Sequence, residues 1–305
     1  MLMKRYLSLV ILLLCLVWLP VACKKDDEPE VWRWSYQDSL DVVDLLEPQQ
    51  GFLSSKNHLP EGKIGVAVTE ETLEVIRHDT SSVRYLVSGF SFSITNSVYA
   101  YTFDLGIDTT ITAYVVDTLK GSVELKVDSL FERGSDSALA ADTNIYKMLR
   151  YSSRGDVFFD SLGGDATWRL LKYSGGIMGS TPEVATAPSF DSLVLAYPGG
   201  GLTVISSAEE GAYGMRGLFE PEDLIHISSG ESVSVEEVFV SGDDTLLIYL
   251  ADDKGNWIIH EPGASVSFTS KGKSRFYIIG IGLWSFVYAS DEWSSVLWGI
   301  PVIVD

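Results

Sequence analysis

The chain has 305 residues, with 22 basic against 42 acidic side chains and a net charge of −20 at neutral pH. Phosphate contacts need clustered Lys and Arg, so this balance argues against nucleic acid as a partner. The length suffices for one large or two ordinary hydrophobic cores, and the two cysteines, Cys15 and Cys23, leave the rest of the chain without a disulfide or a Cys-ligated metal.

The chain opens with the basic head Lys4-Arg5 and continues into an uncharged apolar stretch over residues 6–19. That is the plan of a signal peptide, and the stretch falls short of the roughly 20 residues a membrane-spanning helix needs. It ends in Leu19-Pro20-Val21-Ala22-Cys23, which resembles a bacterial lipobox, with the leucine four residues before the cysteine where three is usual. Lys24, Lys25, Asp26, Asp27 and Glu28 follow, and they resemble the charged tag that sends lipoproteins of Bacteroidota-type bacteria to the outer face of the outer membrane. These resemblances imply a signal peptide over 1–22, a lipidated Cys23 with an acidic linker over 23–30, and a protein held by lipid on the outer membrane and exposed at the cell surface. The acyl chains would anchor it durably, each buried CH₂ contributing about 0.8 kcal/mol.

Past the linker, Trp32 and Trp34 open the folded part. Leu40, Val43 and Leu46 share one face at helical spacing, which predicts a short helix over 38–46, and a weaker helical pattern covers 137–150. Elsewhere period-two alternation dominates. Val83, Tyr85 and Val87, then Phe90, Phe92 and Ile94, read as a half-buried strand pair. Further strands are predicted over 63–68, 97–103, 110–116, 122–130, 192–197, 235–240, 245–250, 257–260, 265–269, 276–281 and 295–304, separated by turns rich in Gly, Asp and Pro. Many short strands at close spacing give an all-β fold, an antiparallel β-sandwich or β-barrel. A Ser, Gly and Asp-rich stretch over 152–165 suggests two β domains, 31–160 and 161–305.

The second half opens with Trp168-Arg169-Leu170-Leu171-Lys172-Tyr173-Ser174-Gly175-Gly176, followed by Leu193 to Leu195, Gly211-Ala212-Tyr213 and Asp244-Thr245-Leu246-Leu247-Ile248. This pattern resembles the lipocalin-like domains of Bacteroidota lipoproteins over roughly 163–250. The resemblance implies a small up-and-down barrel with Trp168 at its closed end, an apolar ligand in its mouth, and Trp168 and Tyr213 as ligand-binding candidates. The stretch over 257–305 is longer and more aromatic than such a barrel needs.

Chemistry-bearing patterns are sparse. His58, His78, His226 and His260 lie in no metal-ligand spacing, so neither a metal nor a cofactor is expected. His78 stands beside Asp79, but no Gly-x-Ser-x-Gly elbow accompanies the pair, and no catalytic residue is assigned. Paired acids such as Asp252-Asp253 fall at turns, where Asp serves local hydrogen bonding. Phe276, Tyr277, Trp284, Phe286, Tyr288, Trp293 and Trp298 crowd into 23 residues, either as core or as a platform for sugar rings. Trp284, Phe286 and Tyr288 read as one strand face, and Trp293, beside Asp291 and Glu292, is the member expected to be exposed; Trp284 and Trp293 join the ligand-binding candidates. The expectation is a non-catalytic binding module for an apolar small molecule or a glycan. Its alternatives are a structural or anchor subunit that pairs with a surface protein, and a carbohydrate-active hydrolase.

Overall fold

The structure is a computed structural model that describes residues 34–53, 59, 62–66, 70–106, 110–161, 167–180, 188–198, 201–207, 214–241, 245–252, 254–289 and 293–305. Cys23, Lys24 to Glu28, His58 and Tyr213 lie outside the described residues.

Helix α1, Tyr36–Leu46, begins at a capping box. The Ser35 hydroxyl accepts from the Asp38 amide and the Asp38 carboxylate accepts from the Ser35 amide, so donors that a helix start leaves without partners are satisfied reciprocally. A short 3₁₀ turn and helix α2, Gln50–Leu53, follow, and helix α3, Glu70–His78, comes after strand β1, Ile64–Gly65. Three long strands then form a meander: β2 Arg84–Leu105, β3 Thr110–Phe131 and β4 Ala138–Ser161. The sequence breaks β3 at Gly121, a turn residue by type that here lies within one continuous strand, and breaks β2 because the alternation changes phase, which the structure explains. A bulge between Ile94 and Asn96 inserts a residue, so Phe90, Phe92 and Ile94 before it and Tyr99, Tyr101 and Phe103 after it all pack inward. The helix predicted over 137–150 is strand in the structure. Twenty-one paired positions with β3 override the helix-forming Ala-Leu-Ala-Ala start, and the alternation of inward Lys147 and Leu149 with outward Tyr146 and Met148 is that of a sheet.

The remaining strands are β5 Trp168–Tyr173, β6 Gly176–Ser180, β7 Ser189–Tyr197, β8 Gly201–Ser206, β9 Ile225–Ile227, β10 Ser232–Ser241, β11 Leu246–Ala251, β12 Trp257–Ile259, β13 Ser265–Ser267, β14 Gly272–Gly282 and β15 Ser295–Val304. The larger sheet runs in the order β1-β2-β3-β4-β6-β15-β14-β11-β12, with β5 beside β4 and β9 beside β15. All neighbours on that nine-strand path are antiparallel, and the ladders β4–β6 and β6–β15 carry the wall from the first half of the chain into the second. The path curls into a nearly closed barrel: Ile64 and Val66 at one end of it pack in the same cluster as Trp257 and Ile259 at the other, and the Tyr249 hydroxyl of β11 donates to the Gly65 carbonyl at 3.4 Å.

A second sheet, β13-β10-β7-β8, packs on the outside of the β14–β15 wall. Phe276, Ile278, Val296, Trp298, Ile300, Val302 and Val304 face it, whereas Tyr277, Ile279, Ile281 and Leu297 face the barrel interior. Burial on both faces explains why these two strands read as near-continuous apolar runs rather than alternating ones. At Gly280 a side chain would strike the Phe190 ring, 2.8 Å from the Cβ position, so the glycine admits Phe190 of β7 against the wall, where it meets Trp298 edge to face at 5.3 Å. The aromatic tail is therefore chiefly core. Trp298→Ala is expected to cost about 3–5 kcal/mol, read as a lower denaturant midpoint, with both sheets losing structure in one transition. Separate transitions would show that the small sheet is not bound into the same core.

Candidate functional site

The barrel interior is divided among side-chain clusters. At the end closed by α1, Val42 and Leu46 pack with Ile111, Val115, Val157 and Trp168. Trp168 is consumed by this closure. Its indole N–H donates to Asp38 Oδ1 at 3.1 Å and Trp34 meets its ring edge-on at 5.8 Å. Burial works to raise the Asp38 pKa, but the bonds from the Ser35 hydroxyl, the Ser35 amide and the Trp168 indole outweigh it and hold the carboxyl below its ordinary value. Deeper inside, Phe90, Tyr249, Phe286 and Trp293 form a second cluster through edge contacts of 5.3–5.8 Å. Trp293 is buried there rather than exposed, because its indole N–H finds the hydroxyls of Tyr151 and Ser295 at 3.0 Å each. Burial pushes the Tyr151 hydroxyl up to about 12.

Between the two clusters lies a polar belt. Asp117, Ser153 and Arg275 are buried on the inward faces of β3, β4 and β14, with Tyr99 and Tyr277 beside Arg275. Glycines make the room: a side chain at Gly176 would overlap Arg275 Nη1, and one at Gly299 would lie 2.8 Å from the Tyr277 ring. The guanidinium sits over the Phe52 ring at 4.6 Å, and its Nη2 donates to the Ser174 carbonyl at 3.5 Å. Burial disfavours its charge, with Tyr277 and Tyr99 acting in the opposite sense. Its Nε and Nη1 have no acceptor among the described residues.

In front of this belt the barrel wall is interrupted. β4 pairs with β6 only as far as Arg154↔Ile177 and with β5 only from Val157↔Tyr173. Across the interval the Ser174 amide donates to the Asp156 carbonyl, while the Asp156 amide turns to the Ser174 hydroxyl, which replaces a main-chain carbonyl in the ladder. Gly155, Gly175 and Gly176 carry no side chains of their own at the step; Met215 packs onto Gly175, its Sδ 2.8 Å from where a Cβ would lie, and Arg275 packs onto Gly176. Outside it opens a cleft of about 250 Å³, lined by Ser152, Ser153, Arg154, Asp156, Ser174 and Gly175, with Met215 and Arg216 on the far wall. A second hollow, at Lys63, Phe90 and Glu124, measures about 10 Å³. Asp156 is bound by Arg154 through two bonds of 2.9 and 3.3 Å, and Arg154 lies over the Tyr114 ring at 4.2 Å. Arg216 is exposed at the rim.

The residues singled out in the sequence are not brought together. Trp168 lies in the α1-closed end and Trp293 in the interior aromatic cluster. Trp284 belongs to the short helix α4, Leu283–Val287, rather than to a strand, so Leu283, Phe286 and Val287 turn into the core while Trp284 stays 38% exposed. It stacks on Tyr288 at 5.2 Å, whose hydroxyl donates to Asp79 at 2.5 Å. The bonds from Ser81 and Tyr288 hold the Asp79 carboxyl at about 2. His226 faces Asp305 at 3.2 Å on the surface, and no group of His, Cys, Asp and Glu suited to a metal occurs among the described residues. Leu193 and Leu195 stand in the small sheet and Leu247 in the barrel, so the stretch compared with lipocalin-like domains is divided between two sheets. Sequence reasoning missed Arg275, Arg154 and Arg216. The available signal was one arginine at an inward position of an otherwise apolar run, Arg275 to Gly282.

No family model matches the chain, and neither a curated protein nor a solved structure matches it.

Asp38 ties α1 to β5 across the barrel end, and its lowered folded pKa sets the pH at which that tie fails. The stabilisation is complete above the unfolded value of about 3.9 and is lost as the pH falls through the lower folded value. Asp38→Ala is expected to cost about 1–2 kcal/mol at pH 7, measured by urea unfolding, with the gap to the wild type narrowing at pH 3. An undiminished gap at pH 3 would show that the carboxylate charge plays no part.

Proposed function

We propose that the protein is a non-catalytic, lipid-anchored binding protein of the outer-membrane surface, and that its ligand is a polar small molecule or a short glycan held in the cleft at the β4/β5/β6 step. The observation that carries this reading is the cleft itself, walled by serines, glycines and arginines at a fixed break in an otherwise continuous barrel wall. Pockets that orient a ligand place a few polar groups on rigid elements, which describes this arrangement. Its chemistry favours a polar ligand over an apolar one, since the lumen that an apolar molecule would enter is occupied by Phe90, Phe286, Trp293, Trp168 and Tyr173. The non-catalytic reading is supported by the lining. Glycoside hydrolysis needs two carboxylates, and among the described residues Asp156 is the single carboxylate on the cleft, already held by Arg154. The address is supported by the apolar run before Cys23 and the charged tag behind it.

The alternative of an anchor subunit has one supporting observation. Beyond Phe90, β2 has β3 as its one strand neighbour among the described residues, and such an edge can accept a strand from another chain.

The test joins both parts. In the native host, palmitate is expected to label the wild type and not Cys23→Ala, which would leave the membrane fraction. The soluble form lacking residues 1–23 is expected to retain glycans on an array, and Ser152→Trp, which fills the cleft from the exposed side of β4, to lose them. Palmitate labelling unchanged by Cys23→Ala overturns the address. Glycan retention unchanged by Ser152→Trp overturns the cleft, and sedimentation of the soluble form as a stable assembly without glycan binding would favour the edge-strand alternative.

A further inference from the structure

Three cations are buried among the described residues, and two of them are fully explained by their partners. Arg84 reaches the carbonyls of Ser82, Ile76, Glu132 and Ser135 and lies over the Phe131 ring at 5.5 Å. Lys147 donates to the Tyr288 carbonyl at 2.8 Å. Both bind the α3 and α4 ends of the chain to the barrel, a structural task. Arg275 differs. It is 2% exposed, takes part in no ion pair among the described residues, donates one long hydrogen bond to the Ser174 carbonyl and has the Tyr277 and Tyr99 hydroxyls beside it, with Nε and Nη1 finding no acceptor within hydrogen-bond distance among the described residues. A guanidinium does not lose its proton in a protein. A buried charge without a counter-charge costs several kcal/mol, and a hydrophobic residue of similar volume is often the more stable choice. The charge is therefore kept for something other than the fold.

What stands next to it is the step in the wall. The nearest atoms to a methyl group placed on Gly155 are the Gly175 carbonyl oxygen at 3.8 Å and Arg275 Nη2 at 3.9 Å. Space about one atom deep is therefore open between the β4 backbone and the guanidinium. Ser153, Ser174 and Gly175, which border that space, also line the cleft outside. A ligand in the cleft can thus present a small acceptor group through the glycine step to a cation that has no ion-pair partner among the described residues.

We propose that Arg275 is the anchor of an anion site, and that the cleft takes a ligand carrying one carboxylate, which enters the step at Gly155 and lies against the guanidinium. This rests on the binding reading above and adds the charge class of the ligand. A single negative charge fits better than a phosphate dianion, because one cation lacks an ion-pair partner among the described residues, the buried Asp117 carboxylate shares its belt, and the Asp156 carboxylate borders the cleft. A carboxylate is small and planar and matches the guanidinium fork. Ser152 lines the cleft where the remainder of a polyhydroxy acid would lie, and Arg216 at the rim draws anions towards the mouth of a protein that otherwise repels them. A sugar acid such as glucuronate combines these features.

The test measures the thermal midpoint of the soluble form lacking residues 1–23, in a low-salt buffer free of carboxylates, against rising glucuronate, acetate and glucose. Binding to the folded state alone raises stability with ligand concentration. The expected result is a rise with glucuronate, a smaller rise with acetate and none with glucose. Two variants separate the site from general charge effects. Arg275→Met should fold as well as the wild type or better, and lose at least 10-fold in glucuronate affinity. Gly155→Ala adds a methyl that meets no atom closer than 3.8 Å, so it should fold normally while filling the space and losing the same response. Equal rises in the wild type and Arg275→Met, or no rise with any carboxylate in the wild type, would overturn the proposal. A rise with glucose equal to that with glucuronate would overturn the anion class and leave the cleft as a neutral-ligand site. Destabilisation of Arg275→Met by as much as Arg84→Met would show the charge to be structural and overturn the proposal as well.

Discussion

The whole architecture depends on one strand pair that is buried on both faces. β14 and β15 pair over ten consecutive positions, from Gly272↔Val304 to Ile281↔Ser295. Their outward side chains form one wall of the core shared with the small sheet, and their inward side chains form one wall of the barrel interior. A strand pair in this position has no solvent side on which a polar residue is cheap. That constraint selects the runs Phe276-Tyr277-Ile278-Ile279 and Val296-Leu297-Trp298 and forces glycine where the opposite sheet approaches most closely, as at Gly280. It also makes Arg275, on the same strand, costly by position.

The polar residues that the interior does contain follow a consistent rule. Asp38 has the Ser35 hydroxyl and amide and the Trp168 indole, and Tyr151 has Ser295 and Trp293. Arg84 has four carbonyls. Each is a buried polar group matched by partners, as the cost of leaving one unmatched requires. Arg275 departs from that rule: among the described residues its Nε and Nη1, like the Tyr99 hydroxyl beside it, Ser161 Oγ and Trp257 Nε1, have no hydrogen-bond partner, and it is the one of these that carries a charge where the wall changes partner from β6 to β5. The break in the ladder, the glycines and the unmatched charge coincide in space although they come from β4, the β5–β6 junction and β14. That coincidence supports a binding role for the step more strongly than any one of the three.

Much of the fold is legible in the sequence because alternation of period two is a direct record of a half-buried sheet. The all-β class, the helix near residues 38–46 and most strand positions follow from it. Where the alternation misleads, the cause is local. The bulge at residues 94–96 makes one strand look like two, and Ala138 to Ala141 have helical propensity that the β3 ladder overrides. Trp284, Phe286 and Tyr288 are spaced as one strand face, yet Leu283 to Val287 form a helical turn, because the chain must reverse between β14 and β15 and bury four of these five residues at once. The candidate site was not legible. Arg154, Ser174, Arg216 and Arg275 are far apart in sequence and belong to no spacing motif, and the meaning of Arg275 lies in what fails to surround it, which only the packing displays. The aromatic residues drew attention by their density, and the structure uses most of them for volume.

The claim that the double-faced β14–β15 pair holds the two sheets together is tested most directly by native-state hydrogen exchange of the soluble form. If it is right, the amides of Phe276 to Ile281 and Leu297 to Val302 exchange slowest, through global unfolding alone, and those of β7 and β10 follow the same opening. Exchange of β7 and β10 through an independent, lower-energy opening, with β14 and β15 no slower than the β2–β3 meander, would contradict it.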